Sequence, residues 1–92
     1  MGALTGRPAA GFGPWCDDLP ADERKARVRE LRVLAHIFAP RSPLVAALTA
    51  AEAGDRIALE AALTELDRLP TLPRRRLLAT YAALHSPDRR KP

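Results

Sequence analysis

The side chains in this sequence that could do chemistry are mostly cationic: thirteen arginines and two lysines stand against eleven acids, for a net charge of +4. They fall into two groups. Arg74-Arg75-Arg76 sits where the first turn of a helix is predicted, so three positive charges face the positive end of the helix dipole. Each such placement costs about 0.3–1 kcal/mol when exposed. The offset is either internal, from Glu65 or Asp67 one short loop away, or external, since a helix N-terminus with guanidinium forks suits phosphate or carboxylate. Successive side chains diverge by about 100°, so the three cannot all grip one small anion, and a surface partner fits better than a metabolite.

The second group is Lys25, Arg29, Arg32 and His36, at spacings of 4, 3 and 4, which share one helix face. Such a stripe either tracks a phosphate backbone or is the solvated side of an amphipathic helix. Lys25, Arg29, Arg32, Arg74, Arg75 and Arg76 are therefore the candidate anion or nucleic-acid residues, with Arg89, Arg90 and Lys91 adding non-specific attraction. Base reading is poorly served. Asn and Gln, the usual readers of adenine, are absent. No aromatic interleaves with the stripe to stack bases.

Catalysis has little to work with. The two histidines, His36 and His85, belong to different predicted helices, and no nucleophile–base pattern, glycine-rich phosphate loop or metal-ligand spacing accompanies them. Cys16 is the single cysteine, which excludes an internal disulfide and a thiolate zinc site. Asp17 and Asp18 beside it disfavour a reactive thiolate. The expectation is a protein that is not an enzyme and has no metal or cofactor.

The elements that carry these groups read as helices throughout. Proline and glycine divide the chain into helices over about 20–39, 43–53, 56–69 and 73–85, with no strand candidate. Acidic residues Asp17, Asp18, Asp22 and Glu23 mark the first start, and Pro40 with Pro43 enforces the first break. Ser42 is the expected N-cap of the second helix and Pro43 its first residue. Gly54 stops it, and Asp55 caps the third. Pro70 ends the third helix, and Thr71 or Leu72 caps the fourth, whose expected core face is Leu77, Leu78, Tyr81, Ala82 and Leu84. The fold class is thus all-α, a compact bundle of about four short helices in a single domain over 20–86. Residues 1–19 hold four of the five glycines and read as a mobile arm, and 87–92 as a disordered basic tail. The third helix is net acidic, so the hairpin of helices two and three is a poor helix-turn-helix. No apolar run reaches the length of a membrane span, and a cytoplasmic protein is expected.

The first helix carries more apolar surface than one face needs. Val28, Leu31, Leu34, Ala35 and Phe38 form a broad stripe, while Ala26, Val33 and Ile37 form a second on another side. A helix apolar on two sides must be covered twice, and a chain of 92 residues has limited means to do so. The second cover is either the Phe12–Trp15 arm folded back as a lid, or another molecule. The expected function is therefore a small helical regulatory or adaptor protein that binds another protein, one concrete form being an antiactivator that sequesters a transcription regulator. The expected partner-binding residues are Trp15, Val33, Ile37, Phe38, Ile57 and Arg76. A homodimer closing the second stripe is compatible with this. The alternative is a small basic DNA- or RNA-binding protein using the first helix and Arg74–Arg76.

Overall fold

The computed structural model describes residues 12–84. Four helices make up the domain, with no strand among the described residues. They are α1 (Ala21–Phe38), α2 (Pro43–Glu52), α3 (Arg56–Arg68) and α4 (Thr71–Leu84), preceded by a single 3-10 turn at Gly13–Trp15. The expected tail and His85 lie outside the described residues, as does the arm up to residue 11.

α1 follows Pro20 and opens on Asp22 and Glu23, which suit the dipole. It buries Val28, Leu31, Leu34 and Ala35, with Phe38 packed partly against the same core. α2 begins at Pro43, where the missing N–H costs nothing, and buries Leu44 and Leu48. Ser42 stands at the cap position but does not cap: its hydroxyl donates to the Ala39 carbonyl at 2.8 Å, bracing the Pro40 turn behind it instead of the helix ahead.

The α2–α3 turn is stapled from both sides. Gly54 adopts φ +111°, a backbone conformation that side chains disfavour. Its N–H donates to Ala51 while that of Asp55 donates to Ala50, a pattern that satisfies the last carbonyls of α2. The Asp55 carboxylate then accepts from the N–H groups of Ile57 and Ala58 at 2.9 and 3.0 Å, capping α3. α3 buries Ala62 and Leu66.

α4 starts at Thr71, two residues before the expected boundary, because Pro70 supplies the carbonyl for the first helical bond from Arg74. Leu77 and Tyr81 are buried and Leu78 packs partly against the core. Ala82 and Leu84, expected on the core face, are exposed instead. They fall in the last turn of α4, at the end of the bundle, so wheel position alone does not bury them.

α1 is the common neighbour. α2 and α4 both pack on it, while α3 packs chiefly on α2. Leu residues from all four helices meet on the first stripe of α1. Replacing Asp55 with alanine frees two N–H groups at the start of α3. It is expected to lower the unfolding free energy by about 1 kcal/mol, read as a shift of the urea midpoint with unchanged slope and unchanged native circular dichroism.

Candidate functional site

The second stripe of α1 is on the surface. Val33 is 45% exposed and Ile37 63%, and Ala26 two turns before Val33 is exposed as well. Phe38 differs from the residues it was grouped with: it is half-buried and belongs to the core side. Ile57 is 81% exposed, but on another part of the molecule. The α2–α3 turn that precedes it borders Ala21, Arg24 and Lys25 across a shallow groove of about 350 Å³. Roughly 20 Å of helix rise separates Arg24 from Ile37. Val33 and Ile37 therefore form one face, which Ile57 does not join.

Trp15 is not on that face either. Its indole N–H donates to the Leu59 carbonyl of α3 at 2.8 Å. Phe12 stacks on it at 6.3 Å and meets the Tyr81 ring of α4 edge-on at 5.1 Å. Gly13 sits at φ +55° with Tyr81 against it: a Cβ there would lie 3.1 Å from the phenol oxygen. Residues 12–16 are thus a fitted strap, so the mobile-arm expectation does not extend to them, and Trp15 is a lid on its own domain.

Two arginines hold the strap, and neither was foreseen as doing so. Arg24 donates to the carbonyls of Cys16 at 2.8 Å and Asp17 at 3.3 Å. Arg27 donates to the Gly13 carbonyl at 3.3 Å while bonding Glu23 at 3.0 Å, and that carboxylate raises its pKa. The signal was present: on the wheel, Arg24 and Arg27 fall among the buried residues of the first stripe, where a cation needs a partner.

The basic stripe is largely engaged within the fold. Arg29 and Arg32 close on the two oxygens of Glu52, at 2.8 and 2.6 Å. These hydrogen bonds, Arg29 first and then Arg32, hold the Glu52 carboxyl below its ordinary pKa. Glu52 is the only charge on α2, and it pins the end of that helix to the middle of α1. Lys25 and His36 remain exposed.

Arg74-Arg75-Arg76 divides in the same way. Arg74 turns back and donates to the carbonyls of Asp67 at 3.0 Å and Leu69 at 3.3 Å. Its charge is offset by the C-terminal end of α3 rather than by a carboxylate, a placement the dipole favours. Arg75 and Arg76 point to solvent. Of the candidate anion residues, Arg29, Arg32 and Arg74 therefore hold the fold together, and Lys25, Arg75 and Arg76 are left at separate places.

Among the described residues no cluster of three or more His, Cys, Asp or Glu side chains could hold a metal ion, and no helix is long and apolar enough to cross a membrane. Comparison of the chain with protein-family models, curated proteins and solved structures finds no match.

Two pH responses follow. A carboxyl held below its ordinary pKa stabilises the fold above the carboxylate range, and that contribution is lost as pH falls through the lowered value. Glu52→Gln should therefore melt below the parent chain at neutral pH, with the gap closing in acid. An undiminished gap at low pH would show that shape, and not charge, is what Glu52 contributes. Tyr81 behaves in the opposite sense. Burial pushes its phenol up to about 12 from 10, so stability is whole below pH 10 and declines as pH rises through 12. Because Tyr81 is the single tyrosine, tyrosinate absorbance reports it alone, and it should appear near pH 12 together with loss of helical dichroism.

Proposed function

We propose that this chain is a small helical regulatory or adaptor protein that acts by binding another protein along the outer face of α1. One observation carries the reading. The aromatics that could have covered Val33 and Ile37 lie elsewhere, with Trp15 bonded to α3 and Phe12 seated on α4, and the stripe stays exposed. Ala26, Val33 and Ile37 line one side of a helix whose opposite side is firmly packed, which is the arrangement that helix-on-helix recognition uses. The face belongs to one continuous helix packed on its other side, so docking does not have to build it. Antiactivation of a transcription regulator is one biological form of such binding, and nothing in the geometry selects it over others. The nucleic-acid alternative is weakened by the engagement of Arg29, Arg32 and Arg74 within the fold.

The test is Ile37→Glu. Ile37 makes no part of the buried core, so helical content and melting temperature should be kept. Affinity purification from the native host with the parent chain and the variant, followed by mass spectrometry, should show a protein retained by the first and lost from the second. Equal retention by both would remove the α1 face from the reading, and unfolding of the variant would return Ile37 to the core.

A further inference from the structure

The strap is joined to the helices by other means than the helices use among themselves. Its backbone-to-backbone bonds among the described residues are its own, from the Trp15 N–H to Phe12 and from the Cys16 N–H to Gly13. Its hydrogen bonds to the bundle each set a side chain on a carbonyl: the Trp15 indole on Leu59, Arg24 on Cys16 and Asp17, and Arg27 on Gly13. The apolar part of the joint lies at the rim. Gly13 and Pro14 are buried, but Phe12 and Trp15 only partly, and the buried core cluster is drawn from residues of the helices and the Leu69 turn. Lifting the strap therefore breaks no backbone bond between helices and takes no side chain out of that cluster.

Closure also carries costs. Gly13 is fixed at φ +55°, which removes the freedom that glycine has in an open chain. The Arg24 Nε is buried with no acceptor among the described residues, and a buried donor left unbonded is unfavourable. Behind the strap, Asp18 and Pro20 are exposed and leave room for a hinge. A segment held by side chains at the edge of a core opens at a lower free energy than the core itself. We propose that Phe12–Cys16 is a latch. It lifts as one unit about Asp18–Pro20 while the four helices keep their backbone bonds and their leucine core, at reduced stability. Opening hands the Trp15 indole N–H to solvent and releases Arg24 and Arg27 on the N-terminal half of α1. Trp15 is then a lid in one state and an exposed aromatic in the other, independently of the Val33 and Ile37 face.

The test uses the full chain. Trp15 is the single tryptophan, so its emission follows the strap while far-ultraviolet dichroism follows the helices. In a urea titration the emission change should come first, at a lower midpoint and with a shallower slope, because opening exposes less surface than unfolding does. Coincident transitions overturn the latch and make the strap part of one cooperative unit. Gly13→Ala gives an independent reading without denaturant. A Cβ there meets the Tyr81 phenol oxygen at 3.1 Å, and alanine is strained at this φ. Acrylamide quenching of Trp15 should rise in this variant towards that of a free indole, with dichroism unchanged. Quenching equal to that of the parent chain, or a rise accompanied by loss of helix, overturns the proposal.

Discussion

The bundle depends on how its open side is closed. α3 and α4 follow each other in the chain, but α3 packs chiefly on α2 and α4 on α1. Two such pairs would leave a cleft where the N-terminal half of α1, the start of α3 and the end of α4 come together. Residues 12–16 fill it. The strap brings two large aromatic rings to the edge of the core and fixes them with hydrogen bonds to α1 and α3. Both rings are only partly buried, so each contributes a fraction of the about 1.5–3 kcal/mol that full burial of such a side chain is worth, which still counts against the small reserve of a domain of this size.

Arginine does most of the remaining joining. Arg24 and Arg27 tie α1 to the strap, Arg29 and Arg32 tie α1 to the end of α2, and Arg74 ties α4 to the end of α3. Each uses the planar, many-donor guanidinium to reach carbonyls or a carboxylate on a neighbouring element, which lysine does less well. The basic composition is thus partly structural. What it leaves on the surface is a set of dispersed cations, Lys25, Arg75 and Arg76 among them.

Much of the architecture was legible because its signals are local. Pro43, Gly54, Asp55 and Pro70 place the boundaries of α2 and α3 to within a residue, since each acts on backbone a few positions away. The two-sided character of α1 was legible for the same reason: it is a property of one helix and its period. Partners distant in sequence were not legible. Nothing near Trp15 announces Leu59, and nothing near Arg29 or Arg32 announces Glu52, although a lone acid on an alanine-rich helix was a clue. Ser42 had the right identity for a cap and the wrong neighbour, the Ala39 carbonyl being closer to hand. Ile57 and Val33 were equally exposed candidates in sequence, and only the fold shows that they occupy different faces. Leu84 was read from its wheel angle, which says nothing about where a neighbouring helix ends.

The strap also fixes the order in which the chain can finish folding. Phe12 rests on Tyr81, so that ring waits for the last helix, whereas Trp15 needs only α3 and the strap carbonyls only α1. A ribosome synthesises the intervening chain at about 5–20 residues per second, leaving Phe12 without its α4 neighbour for seconds, with three helices emerging behind it. Closing so long a loop is entropically dear but grows only slowly with length. Seating Phe12 on Tyr81 is therefore the late step of strap closure.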